Sequence, residues 1–256
     1  MDYINKAEYL NNPKLAADIF QENGFIHIRN FYSSKLCESA ISAIETLESS
    51  MSQSNSVSLV TETINGEVKC KYYQGIYTEH QAFKKFFNLE LLLLAKTLLG
   101  TEEVFYADLE AHIRNPGGGE IPRHQDNFYF NLSSASGMTA YIALTKHDKF
   151  SGGLNYKRKS HAKVINHSLS SIEGFSSYID AEADLSHISQ PSTYSPNYEI
   201  GDISIHHPNN IHWSEPCPSD CERGYALSAR VFNVNEELDP KGVERYQRLL
   251  SKNRTL

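Results

Sequence analysis

Apolar residues at helical spacing open the chain. Leu10, Leu15, Ala16, Ile19 and Phe20 recur near i, i+4 and predict a helix over residues 7–22. Asn23-Gly24 stops it, and Phe25-Ile26-His27-Ile28 reads as a strand. A second helix starts at Tyr32-Ser33-Ser34, capped by serine, with Leu36, Ile41, Ile44 and Leu47 facing inward. The polar, serine-rich run 48–56 reads as a loop, 62–73 as a hairpin turning at Asn65-Gly66, and 79–99 as a further helix.

From residue 104 the texture changes to short β-runs separated by Gly, Pro, Ser and Asn, at 104–106, 111–114, 124–132, 139–145, 153–156, 202–207 and 225–232. Many short strands with turn signals predict a sandwich or barrel. No repeat or low-complexity linker divides the chain, so one domain over 1–256 is expected: a helical part of about 1–100, a β core of about 101–235 and a C-terminal helix over 240–256. That last helix is amphipathic and reads as a packing element. Residues 166–200 carry few strand signals, and their tyrosines (Tyr178, Tyr194, Tyr198) are expected in a long loop of the kind that forms lids.

Composition narrows the function classes. In 256 residues the formal net charge is −7 with Lys and Arg dispersed, which argues against a nucleic-acid footprint. No apolar run approaches the ~18–20 residues that span a bilayer, so no membrane partner is expected. The N-terminus lacks the charged-then-apolar pattern of a secretory signal. Four dispersed cysteines (Cys37, Cys70, Cys217, Cys221) read as reduced thiols. A cytoplasmic monomer or homodimer acting on a small-molecule substrate is the expectation.

The candidate chemistry centres on Arg123-His124-Gln125-Asp126-Asn127-Phe128-Tyr129-Phe130, read as a strand. Residues i and i+2 of a strand share a face, so His124 and Asp126 can offer one nitrogen and one oxygen to a common point. A second histidine completes the two-His-one-carboxylate triad that holds non-haem Fe(II) and leaves positions open. His206, His207 and His212 compete for that role. If 211–214 and 223–232 pair as a hairpin, His212 and Arg223 lie on adjacent strands, where the arginine can clamp a carboxylate. This favours His212 as ligand, with His207 lining the pocket and His206 packed in the β core.

Taken together, these residues resemble the phytanoyl-CoA dioxygenase-like Fe(II)/2-oxoglutarate oxygenases. The resemblance runs through Asn23-Gly24-Phe25-Ile26-His27-Ile28, His124-Gln125-Asp126 with Tyr129, Gly152-Gly153-Leu154-Asn155 to Ser160-His161, and Gly201-Asp202 to His212-Trp213-Ser214 and Arg223. It departs at Lys157-Arg158-Lys159, where the family has a proline-glycine turn, and at Trp213, where a small residue is common. The resemblance implies a mainly β fold with flanking α-helices, the double-stranded β-helix (jelly roll, cupin-like). It implies Fe(II) held by His124, Asp126 and His212, with 2-oxoglutarate as co-substrate and O2 as oxidant. Arg223 and Ser214 would receive the distal carboxylate, with Arg114, Thr139 and Tyr141 also on the co-substrate side. His207, Tyr129, Asn127 and His161 would line the substrate. A carboxylate at 126, where related halogenases have Gly or Ala, implies hydroxylation, or a desaturation or cyclisation derived from it, over halogenation. The basic cluster of Arg114, Arg123, Lys157, Arg158 and Lys159 hints at a small polar or anionic substrate. The competing readings are a jelly-roll metal- or ligand-binding protein without turnover, and a nucleic-acid demethylase, which the acidic charge disfavours.

Overall fold

The computed structural model describes residues 1–50, 57–172, 181–186 and 192–253. Its N-terminal helices are divided where capping chemistry divides them. After β1 (Tyr3–Asn5), the expected first helix splits into α1 (Lys6–Asn11) and α2 (Pro13–Asn23), because Asn12 caps the Leu15 N–H and Pro13 sits in the first turn. β2 (Phe25–Arg29) and α3 (Ser34–Ser50) follow. β3 (Ser58–Ile64) and β4 (Glu67–Gln74) form the expected hairpin, with Asn65 and Gly66 both at positive φ. The helix expected over 79–99 is also two, α4 (Gln81–Lys84) and α5 (Leu89–Leu99), since the Asn88 side chain accepts from Leu91 N and starts a new helix.

The β region continues with β5 (Val104–Arg114), β6 (Ile121–His124), the single-turn α6 (Asn127–Phe130), β7 (Gly137–Ala143) and β8 (Leu154–Lys157). β9 (His167–Leu169), β10 (Ala181–Ala183) and β11 (Thr193–Tyr194) occupy the stretch expected to be irregular. β12 (Ile203–His206), β13 (His212–Ser214), β14 (Gly224–Asn233) and α7 (Pro240–Asn253) complete the order. The described residues form a large sheet β1-β2-β12-β7-β14-β5-β4-β3 and a small sheet β11-β8-β13-β6, with β9 and β10 as a separate ribbon. This is the expected double-stranded β-helix, or jelly roll, with helices on its outside. No described helix is long and apolar enough to cross a membrane.

Period-two alternation sorts the large sheet into two faces. On β7 and β14, Met138, Ala140, Ile142, Leu227, Ala229 and Val231 join the main core with Phe20, Ile44, Phe83 and Leu94 from the helices. Each buried Met, Ile, Leu, Val or Phe among them contributes roughly 1.5–3 kcal/mol. The alternate residues, among them Thr139, Tyr141, Ser228 and Arg230, face the lumen between the sheets.

Two expectations about connection fail here. β13 lies in the small sheet between β8 and β6, whereas β14 lies in the large sheet between β7 and β5, so 211–214 and 223–232 are not a hairpin. Tyr194 stacks on Phe25 at 5.4 Å and Tyr198 on His147 at 4.5 Å, so both are core packing and neither covers the cavity. Tyr178 falls outside the described residues.

The packing carries a pH signature. Burial, reinforced by the Arg114 guanidinium, holds His147 well below the usual histidine range, and burial takes His167 down to about 3. Both are therefore neutral when folded, while the unfolded chain takes up protons below about pH 6.5. Stability is fully present above that pH and is lost as pH falls toward the folded values, by at most about 1.4 kcal/mol per group per pH unit. Urea unfolding of chelator-treated protein should give a flat midpoint between about pH 8 and 7 and a falling one below about 6.5. A midpoint unchanged at about pH 5.5 would contradict the burial of these two rings.

Candidate metal centre

His124 and Asp126 do not share a strand. β6 ends at His124, and Asp126 already has helical backbone angles (φ −55°, ψ −38°) as the chain turns into α6. Gln125 makes that turn possible. Fully buried, its Nε2 donates to Asn209 O (2.6 Å) and Lys163 O (2.9 Å), while its Oε1 accepts from Ile165 N (2.8 Å). The middle residue of the His-x-Asp unit is thus pinned on the far side, leaving its neighbours to turn inward. His212, on β13, pairs directly with His124 on β6, which brings the two ring centroids to 4.2 Å.

Both imidazoles are presented in one tautomer. His124 Nδ1–H donates to Pro122 O (2.9 Å) and His212 Nδ1–H to Asn210 O (3.0 Å), since a carbonyl can only accept. Each Nε2 therefore turns a lone pair toward Asp126 Oδ1, 3.6 Å away in both cases. The ligand atoms of His124, Asp126 and His212 all lie within 4.8 Å of one another.

The second carboxylate oxygen is occupied from behind. Thr139 Oγ1 donates to Asp126 Oδ2 at 2.6 Å, and His206 Nε2 donates to the same oxygen at 3.1 Å. His206 carries its proton on Nε2, and its buried Nδ1 has no hydrogen-bond partner. Burial would raise the Asp126 carboxyl, but the adjoining His212 and His124 and the hydrogen bond from His206 hold it well below the usual range. Burial, with His206 and His124 beside it, holds His212 well below its ordinary value and so neutral. An ionised carboxylate and neutral imidazoles are the states that ligate a divalent cation. Two nitrogens and one oxygen on one side, with the cavity on the other, fit Fe(II).

The cavity holds about 650 Å³ and is bounded by the inner faces of both sheets, by α6 and by α7. Arg114 enters it from β5, not Arg223. Arg114 is 8% exposed; its Nη1 donates to Ser151 O and its Nη2 to Thr145 Oγ1, both at 2.8 Å, and its Nε is buried without a partner. No carboxylate among the described residues pairs with it. The space it fills is provided by Gly224, which is paired with Arg114 across β5 and β14; a Cβ there would lie 1.9 Å from Arg114 Nη2.

Arg223 points the other way. Odd-numbered residues of β14 face the helices, so Arg223, just before the strand, reaches Glu48 of α3 at 2.5 Å with its side chain 38% exposed. Its expected role at the co-substrate is thereby corrected. The same alternation reverses the expectation for the adjacent histidines. His206 takes the lumen face of β12, and His207 turns outward to Phe20 (6.2 Å) and His161 (5.4 Å), so neither His207 nor His161 lines the cavity. Asn127 is structural too: its side chain bonds Leu132 N (2.7 Å) and Leu132 O (3.1 Å), closing the turn after α6.

Ser214, Thr139, Tyr141 and Tyr129 do line the cavity. Ser214 Oγ accepts from Ile121 N (3.2 Å), and Tyr141 OH donates to His147 Nε2 (3.0 Å). Tyr129 reaches the cavity because the strand expected over 124–132 becomes α6, and its hydroxyl donates to Ala181 O (3.1 Å). Apart from Arg114, the basic cluster does not line the cavity. Arg158 pairs with Asp2 (2.6 Å), Lys159 with Glu22 (3.0 Å), and Arg123 lies 4.7 Å over the Trp213 ring.

Known proteins share this architecture. The sequence profile of the phytanoyl-CoA dioxygenase (PhyH) family matches residues 20–225. No curated protein sequence matches the chain. Among solved structures, AviO1 from Streptomyces viridochromogenes Tue57 superposes with a TM-score of 0.69 at 14% identity, over 88% of this chain and 97% of that one. The epimerase SnoN, solved with Fe3+, alpha ketoglutarate and nogalamycin RO, gives 0.70 at 14% identity, over 92% and 90%. EctD from S. alaskensis, solved with 2-oxoglutarate and 5-hydroxyectoine, gives 0.69 at 14% identity, over 89% and 78%. At such identities the likeness is one of fold.

Proposed function

The chain belongs to the phytanoyl-CoA dioxygenase family, and from that membership we propose that it hydroxylates an unactivated C–H bond of a small molecule, using Fe(II), 2-oxoglutarate and O2. The observation that carries this reading is the meeting of His124, Asp126 and His212 at the wall of a cavity that also holds an uncompensated Arg114. When bound, Fe(II) would activate O2, which supplies the oxidising equivalents, with 2-oxoglutarate giving up two electrons and leaving as succinate and CO2.

The chain's own residues do the rest. His124 and His212 direct their Nε2 lone pairs at the metal position, each held in that tautomer by a backbone carbonyl. Thr139 and His206 occupy Asp126 Oδ2 and leave Oδ1 to bind, so the carboxylate acts through one oxygen. Arg114 receives the distal carboxylate of 2-oxoglutarate through its guanidinium, which pairs with no acid among the described residues. The Ser214 hydroxyl, whose oxygen accepts from Ile121 N, keeps its proton to donate to the same carboxylate. Tyr141 and Leu154 wall this inner chamber and exclude water.

The test is direct. Purified protein mixed anaerobically with Fe(II) and 2-oxoglutarate should show a metal-to-ligand absorption band, and admission of O2 should release succinate. Absence of both would leave a metal-binding jelly roll without turnover.

A further inference from the structure

The part of the cavity wall formed with α7, taken here as its outer chamber, has a distinctive chemistry. Tyr72, Tyr129, Phe130, Val243, Tyr246 and Leu250 make its surface largely aromatic and apolar. Three of the six come from α7, the C-terminal helix that the sequence presents as a packing element. Tyr246 seats that helix against α6, with ring centroids 6.1 Å from Tyr129 and 5.8 Å from Phe128.

The charged side chains that line the same cavity, the metal site and Arg114 apart, are spent on one another or on neighbouring groups. Arg230 reaches Glu110 (2.6 Å) and Asp108 (3.0 Å), and Gln74 Nε2 donates to Glu110 Oε1 (2.7 Å). Burial pushes the Glu110 carboxyl up, but Arg230, helped by His112 and Gln74, outweighs it and takes the group down to about 2. Lys71 pairs with Glu62 (3.5 Å) and donates to Glu120 O (3.1 Å), and Glu215 accepts from Trp213 Nε1 (2.9 Å). The carboxylates Glu62, Glu110 and Glu215 thus outnumber the cations Lys71 and Arg230, and each cation already has its acid.

An entering anion would be stripped of water and, among the described side chains that line the cavity, would find no unpaired Lys or Arg except Arg114, which the co-substrate uses. It would have to break an existing buried pair, a costly exchange. We propose that the outer chamber selects a molecule with a flat apolar ring and no negative charge, with α7 supplying the discriminating wall through Tyr246 and Leu250. This rests on the oxygenase reading of the same cavity and narrows it to a substrate class.

Calorimetry with three probes sharing one ring tests the proposal on the full chain. The probes are 2-naphthalenemethanol, 2-naphthylmethylamine and 2-naphthylacetate. The alcohol and the amine should bind at least about ten-fold more tightly than the acetate, a difference of about 1.4 kcal/mol. Tyr246→Ala and Leu250→Ala should each weaken them several-fold while leaving the 2-oxoglutarate absorption band unchanged. Glu110→Gln, which releases one arm of Arg230, should improve acetate binding. Equal or tighter binding of the acetate by the unaltered protein, or binding of none of the three, overturns the proposal. Loss of the absorption band itself would instead count against the oxygenase reading, so the two failures are separable.

Discussion

Arg114→Leu should raise the Kd for 2-oxoglutarate by about 100-fold, and Arg223→Leu should leave it within about two-fold. The first effect follows from burial. A guanidinium at 8% exposure, bonded only to Ser151 O and Thr145 Oγ1, offers a carboxylate its charge and its free Nε in a site shielded from water. Charge-assisted hydrogen bonds of that kind contribute about 1.5–3 kcal/mol each. The second follows from strand phase, because Arg223 lies on the helix side of β14 and serves Glu48. Loss of that half-exposed pair should cost less than about 1 kcal/mol of stability. Stability supplies an independent readout. A buried cation without an acid is a liability in the co-substrate-free protein, so Arg114→Leu should melt no lower than the parent while losing the ligand. An anaerobic titration with Fe(II) present, read by the absorption band, decides the matter. A large loss in Arg223→Leu with none in Arg114→Leu would return the clamp to the residue eleven positions after His212.

That reversal shows what the chain could and could not disclose. His124, Asp126 and His212 were legible because their chemistry is scarce and their motif order is informative. The route by which they meet was not, since the strand read through 124–132 ends at His124. What turns the chain there is Gln125, whose side-chain hydrogen bonds go to backbone atoms of residues 163, 165 and 209, contacts that leave no local pattern. Arg114 and Arg223 look equivalent by residue type, and the spacing favours Arg223. Only the phase of β14, set by Leu227, Ala229 and Val231 in the helix-side core, turns Arg223 outward. Gly224 was the available signal: a glycine in a strand marks a close approach, here by the Arg114 guanidinium. His206 and His207 follow the same rule, with one side of β12 facing the lumen and the other facing out. The fold class was easier to read than the site because alternation and turn residues specify it many times over. Each site residue's direction depends on one register.

Asp126→Asn should lower Fe(II) affinity by at least about 100-fold despite its near-identical shape, and the reason lies behind the ligand. Thr139 Oγ1 and His206 Nε2 both donate to the Oδ2 position. An asparagine can accept there only with its amide oxygen, which sends the amide NH2 toward His124 and His212, where it can donate but not ligate. The substitution therefore removes the negative charge and also turns the remaining oxygen away from the metal. Thr139→Val and His206→Gln act one step further out. They leave the carboxylate free to rotate or bind through both oxygens, and should weaken iron by about ten-fold. Competition with a coloured chelator measures these affinities without any turnover. Parent-like iron binding in Asp126→Asn would remove Asp126 from the ligand set. An unchanged affinity in both Thr139→Val and His206→Gln would mean that the triad is rigid without them, with its geometry fixed by the β6–β13 pairing and the Gln125 anchor alone.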